Sequence, residues 1–244
     1  MLQITEQVIS WIRDYYRENP RGKAVIGISG GKDSTVTAGL LTRALGVERV
    51  IFVLMPNGEQ ADISDSYAVL DFLKVPEENR RVVNIGRAYA ASIEALGYRQ
   101  GDPISSVVTT NLPSRLRMSM LYAIAAEFPG ARVVNTCNRS EDYVGYSTKF
   151  GDAAGDFSPL GELTVREVVA IGDDLGMPRE LVHKTPSDGM SGHCDEDRLG
   201  FTYHELDEYL LGTGPVSPET VEKIEHLHRI NLHKLLPMPK FVKI

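Results

Sequence analysis

The sequence predicts an α/β fold, a doubly wound parallel sheet with helices on both faces. Three observations predict it: short unbroken apolar runs recur, they alternate with stretches of helical periodicity, and the links between them are brief. From Ile4 to Tyr16, apolar residues at Ile4, Val8, Ile9, Ile12 and Tyr15 keep helical spacing, and Pro20 and Gly22 close the segment. Ala24-Val25-Ile26-Gly27-Ile28 reads as a strand buried on both faces. A glycine-rich turn follows, then a helix to Leu45 with Gly46 as its stop. The alternation continues with a strand over Val50 to Leu54, a helix from about Asp62 to Leu73, a strand over Arg81 to Ile85 and a helix over Ala88 to Leu96. Pro113 is placed to open a helix running through Phe128, and Arg132 to Asn135 reads as the next strand. Thr164 with Glu167 forms a capping box for a helix ending near Gly176. Ser217 and Pro218 read as the cap and first residue of a last helix reaching about Ile230. Tyr67, Phe72 and Tyr122 fall at helical spacing and read as core, whereas Arg117 reads as a solvated charge.

Composition bounds the function classes. The chain has 244 residues, 42% of them hydrophobic, which suits one domain over 1–244 with a core that needs no metal or disulfide. Its two cysteines, Cys137 and Cys194, stand far apart, which fits a reducing cytoplasm and argues against a zinc cluster or redox pair. His193 beside Cys194 lacks the further spaced ligands a metal site needs. With 26 basic against 33 acidic residues, the net charge of −7 disfavours a nucleic-acid partner. No stretch approaches the roughly 20 apolar residues that cross a membrane. The stretches 136–160 and 185–200 are rich in Gly, Ser, Asp and Thr without periodicity, as functional loops often are.

The first strand runs into Ser29-Gly30-Gly31-Lys32-Asp33-Ser34 and then a helix. Two glycines permit a tight turn, the following amides point at its occupant, and the helix N-terminus adds partial positive charge. An anion belongs there, with serine hydroxyls as supplementary donors and Asp33 able to hold magnesium against phosphates. The spacing is not that of a Walker A loop. In ligand-binding position across the strand ends, parallel sheets place their sites at the topological switch point.

This turn resembles the SGGxDS loop of the N-type ATP pyrophosphatases, which cleave ATP between its α- and β-phosphates. Downstream residues narrow the resemblance. Asn135-Thr136-Cys137-Asn138-Arg139-Ser140-Glu141, then Gly145-Tyr146-Ser147-Thr148-Lys149-Phe150-Gly151-Asp152 with Asp156, Pro159 and Leu160, is similar to the central stretch of the NAD synthetases. So are Asn111 to Met118, Lys184-Thr185-Pro186-Ser187, Asp195 to Gly200, and the late pair His233-Lys234, all in family order.

The resemblance implies ATP-dependent amidation of deamido-NAD (nicotinic acid adenine dinucleotide) with ammonia through an adenylate, giving NAD, AMP and pyrophosphate. It implies that Gly27, Ile28, Ser29, Gly30, Gly31, Lys32, Asp33 and Ser34 hold the triphosphate and that Thr136 and Ser187 contact ATP. Asp33 and Glu141 are then Mg²⁺ ligands, and Arg115, Lys149, Asp156, His233 and Lys234 the deamido-NAD contacts. Asp33, Lys149 and Asp156 carry the catalytic assignment, Asp156 or Asp152 being placed to take a proton from ammonium. A homodimer is the family's state. With the phosphate turn beginning at Gly27, no amidase domain is expected ahead of it.

Two departures stand out. Val165 replaces a lysine that many relatives use toward ATP, leaving Arg166 or another cation to substitute, and Lys32 replaces a residue often uncharged. Lys32 either reaches the phosphates or faces solvent. The alternatives are another N-type pyrophosphatase (an adenylating amidotransferase or a tRNA thiolase) and a non-catalytic nucleotide sensor. A thiolase needs sulfur-carrying cysteines and a basic RNA surface.

Overall fold

A computed structural model describes residues 1–184 and 195–243. The chain runs α1 (Gln3–Tyr15), β1 (Ala24–Gly27), α2 (Lys32–Leu45), β2 (Val50–Leu54), α3 (Ile63–Phe72), β3 (Arg80–Val82), α4 (Gly86–Ala95), α5 (Ser106–Ala125) and β4 (Arg132–Val133). Then follow α6 (Arg139–Tyr143), α7 (Val165–Asp174), α8 (Arg179–Val182), α9 (Asp195–Leu199), α10 (Tyr203–Leu211) and α11 (Pro218–Leu235). The four described strands are parallel in the order β3-β2-β1-β4.

Alternation along the strands sorts their side chains onto two cores. Ala24, Ile26, Val50, Phe52 and Leu54 face a cluster with Ile9 and Ile12 of α1, Leu40 and Leu41 of α2, and Val168 and Ile171 of α7. Val25, Ile51, Val53 and Val133 face the opposite cluster, with Met118, Leu121 and Ile124 of α5. All nine strand residues are fully buried. Each large one removed from water contributes about 1.5–3 kcal/mol, which explains why the sheet pairs where these runs lie. A third, smaller cluster joins Val144, Leu199, Phe201, Tyr203, Leu206 and Ile224 beyond the end of the sheet.

Several expectations shift. Pro113 does not open a helix but sits inside α5, which starts seven residues earlier where the Ser105 hydroxyl accepts from Val107 N. That cap, and burial of Pro113 itself, outweigh the one ladder hydrogen bond that proline forgoes. β3 begins at Arg80 and ends at Val82, although Val83 N and Ile85 N still donate to Leu54 and Pro56. α11 extends to Leu235, so His233 and Lys234 occupy its last turn. Tyr67, Phe72 and Tyr122 are exposed rather than core, because each lies at the solvent margin of its helix's apolar stripe. Just past the end of α1, Tyr16 is buried and Tyr15, expected on the apolar stripe, is exposed. Thr164 with Glu167 makes the capping box of α7 as read, and Thr202 with Glu205 makes another on α10.

Because β1 connects to β2 and β3 on one side while β4 lies on its other side, the strand order reverses between β1 and β4. The loops leaving these two strands diverge there and leave a crevice at their carboxyl ends.

Candidate active site at the sheet switch point

One wall of the crevice is the turn after β1. Gly30 has φ +81, a left-handed conformation, and a Cβ there would lie 2.7 Å from Asp65 Cβ and 2.9 Å from Ser66 N. Ser29 and Ser34 lock the turn: Ser29 N donates to Ser34 Oγ at 3.2 Å, the hydroxyls stand 3.0 Å apart, and Gly31 N donates to Ser29 Oγ at 3.2 Å. Gly31 caps α2 without a side-chain hydrogen bond, so the first amides of a 14-residue helix face the crevice. Gly30→Ala is expected to lower Tm by several degrees, since left-handed strain alone costs about 1–2 kcal/mol and a chain this size loses roughly 2–4 °C per kcal/mol. It should also weaken ATP binding, and thermal unfolding with an ATP titration checks both.

The other wall follows β4. Asn135 holds that loop, its Nδ2 donating to the carbonyls of Asp152 and Ala154 and its Oδ1 accepting from Cys137 N. Thr136 lies between β4 and α6, half-buried. Asn138 caps α6, accepting from Glu141 N at 3.0 Å while donating to Asp33 Oδ1 at 3.0 Å. One amide thus ties the two walls together and brings Asp33 and Glu141 to a common point. Asn138 had no assigned role; its place three residues before Glu141 at a helix start is the signal that could have found it. Asp195, the first residue of α9, is a buried carboxylate whose charge reaches Glu141, and Tyr146 donates to its Oδ1. Burial pushes Glu141 well above the usual carboxylate range, the Asp33 charge adds to this, and Lys32 pulls it back.

Lys32 neither faces solvent nor points outward. It is 5% exposed, with Nζ 2.5 Å from Asp33 Oδ2 and 4.0 Å from Glu141 Oε1. Burial opposes its charge, but Asp33 and Glu141 more than offset that, raising its pKa above the ordinary lysine value.

Arg115, Lys149, His233 and Lys234, expected on the substrate side, gather beside the end of α11. Arg115 Nε donates to Lys149 O at 3.2 Å, Lys149 Nζ donates to His233 O, and Lys234 Nζ donates to the carbonyls of Gly145 and Ser147 at 2.6 and 3.0 Å. Asp156 is not among these contacts: its carboxylate accepts from Val133 N, at the end of β4, at 2.7 Å and from Tyr122 Oη of α5 at 3.2 Å. Asp152 is closer to the crevice wall, its Oδ1 accepting from Thr148 N and Ser114 Oγ. Ser187, His193 and Cys194 lie outside the described residues. Lys184 is paired with Asp65 at 2.6 Å, on α3 beside Gly30.

One reading changes, and the two residues at the family-lysine position gain a setting. Arg117 is no solvated charge: its Nε donates to Met55 O at 2.9 Å, and burial lowers its pKa. Val165 packs against the third apolar cluster, with its N–H donating to Ser140 Oγ at 3.2 Å. Arg166 is turned to α10, paired with Glu208 at 3.0 Å, whereas Lys32 stands 4.0 Å from Glu141.

The Asp33–Glu141 pair and Lys32 thus stand together at the switch point, beside the glycine turn and the first amides of α2. A family model described as NAD synthase matches residues 4–238. The chain is 36% identical over 243 residues to the NH(3)-dependent NAD(+) synthetase of Pyrococcus horikoshii, covering 94% of this chain and 91% of that one. Among solved structures it is similar to the NMN synthetase of Francisella tularensis, with TM-score 0.86 and 32% identity over 98% of each chain. It is also similar to the NH3-dependent NAD synthetase of Campylobacter jejuni, with TM-score 0.77 and 28% identity, covering 99% of this chain and 98% of that one.

Proposed function

Because the chain belongs to the NAD synthase family, we propose that its crevice performs ATP-dependent amidation of the nicotinate carboxylate of deamido-NAD by ammonia, giving NAD, AMP and pyrophosphate. The observation that carries the site assignment is the meeting of Asp33 and Glu141 over the Ser29–Ser34 turn at the β1/β4 switch point. ATP is the co-substrate, its triphosphate held by the turn from Gly27 to Ser34, with Thr136 and Ser187 as further ATP contacts.

Magnesium fits this donor set. Magnesium is usually held by one or two carboxylates together with substrate phosphates rather than by an all-protein cage. Asp33 and Glu141 supply two carboxylates, and no group of three or more metal-binding side chains occurs among the described residues. Bound there with ATP, magnesium would screen the repulsion between the anionic substrate and the α-phosphate and stabilise charge on the transferring phosphoryl group.

The chain's own residues do the rest. The amides of the turn and of α2 orient the triphosphate and draw charge from it. Arg115, Lys149 and the His233-Lys234 pair hold the substrate so that its carboxylate meets the α-phosphate, and positioning of this kind contributes several kcal/mol. Pyrophosphate leaves, and an acyl adenylate remains. Ammonia attacks its carbonyl through a lone pair, the surplus proton passes to a carboxylate, and AMP departs. Of the two candidates for that proton we favour Asp152 over Asp156. Asp152 Oδ2 has no hydrogen bond among the described residues, and its carbonyl is tied to Asn135 on the crevice wall. Both Asp156 carboxylate oxygens are engaged, one with Val133 N and the other with Tyr122 Oη.

The wider assignment follows the family: one synthetase domain over 1–244, a homodimer, and a cytoplasmic setting supported by the low cysteine usage. No described helix is long and apolar enough to cross a membrane. A second substrate reading comes from the Francisella tularensis neighbour, named for NMN synthesis, whose reaction would amidate the same ring on the mononucleotide. Pyrophosphate release from ATP, measured with and without deamido-NAD, tests catalysis against a sensor role. Release that depends on the dinucleotide is expected; ATP binding without release would leave only a sensor.

A further inference from the structure

Lys32 stands where two acids converge. Its ammonium, buried beside Asp33, Glu141 and the frame made by Asn138, offsets part of the repulsion between those carboxylates. It lies within 4.0 Å of both carboxylates, the two groups a divalent ion would have to reach at once. Asp195 adds negative charge to the same neighbourhood, so the ammonium is held from more than one side. An ion arriving alone must displace a cation that is already paired, and only two protein carboxylates reward it for doing so. A triphosphate entering the adjacent turn changes that balance. Its oxygens offer the flexible lysine another anion, and they complete the ligand set of the metal.

We propose that Lys32 is a built-in counter-cation that keeps Asp33 and Glu141 from binding a divalent metal until a nucleoside triphosphate occupies the turn. Metal then enters with the nucleotide, and the Lys32 ammonium passes from the carboxylates to a phosphate oxygen. This rests on the assignment of Asp33 and Glu141 as metal ligands.

The test is Mn²⁺ binding to the whole chain, read by electron paramagnetic resonance without nucleotide, for the wild type, Lys32→Met and Lys32→Arg. Removing a unit charge about 4 Å from the site should tighten Mn²⁺ binding by about tenfold or more in Lys32→Met. Lys32→Arg, which keeps the cation, should bind as weakly as the wild type. Equal affinity in the wild type and Lys32→Met overturns the proposal. If Lys32→Met does not fold, as judged by circular dichroism, the wild type decides by equilibrium dialysis. It should retain Mn²⁺ only when α,β-methylene ATP is also retained; retention without the analogue overturns the proposal. A wild type that retains the analogue but no Mn²⁺ overturns the metal assignment itself.

Discussion

Asp33→Asn is expected to slow NAD formation by about two to three orders of magnitude, the usual loss when a group that stabilises transferring charge is removed. Glu141→Gln should do the same. Amides are preferable to alanine here because Lys32 lies 2.5 Å from Asp33, and truncation would leave a buried ammonium with a single partner at 4.0 Å. The chemistry should fail more than binding: kcat falls and the Mg²⁺ concentration for half-maximal rate rises, while Tm drops because the buried Lys32 ammonium loses a charged partner. Steady-state rates across a magnesium series check this. Near-normal turnover of either variant at low Mg²⁺ would show that the pair does not serve the metal.

Glutamine should not replace ammonia. With glutamine as the sole nitrogen source the chain is expected to form almost no NAD, whereas with ammonium the rate should climb with concentration and, within the stable range, with pH. The sign follows from the nucleophile, since only ammonia carries the lone pair and its share grows as pH rises. A glutamine amidase needs an accessible thiolate or an equivalent nucleophile. Cys137 offers none: it is 5% exposed, and burial pushes its thiol well above the ordinary range. The Pyrococcus horikoshii relative is likewise named as NH(3)-dependent. Efficient glutamine-supported synthesis, in a preparation free of contaminating glutaminase, would sink the expectation.

The sheet was legible because its strands are buried on both faces and announce themselves as apolar runs. Val50 to Leu54 appear in the structure with the bounds the pattern predicts. The start of α5 was hidden because a proline inside a helix looks, in sequence, like a proline opening one, and the cap at Ser105 lies eight residues upstream of it. Tyr67, Phe72 and Tyr122 show the limit of periodicity, which reports a helical stripe but not where the stripe ends. In the site, the tight turn after β1 and the onset of α2 could be read from glycine spacing alone. The link from Asp33 through Asn138 to Glu141 could not, since it joins residues 105 positions apart and exists only because β4 lies beside β1. The same geometry decides Lys32, whose sequence position allowed phosphate or solvent but whose neighbours turned out to be acids.

The most direct measurement is product formation by the purified chain supplied with ATP, Mg²⁺, ammonium and either deamido-NAD or nicotinate mononucleotide. The account predicts NAD from deamido-NAD, with AMP and pyrophosphate formed in equal amounts and no ADP. Faster amidation of the mononucleotide would move the substrate to the reading favoured by the Francisella tularensis neighbour while leaving the chemistry intact. ADP with phosphate as products, or no amide formed from either acid, would contradict the account.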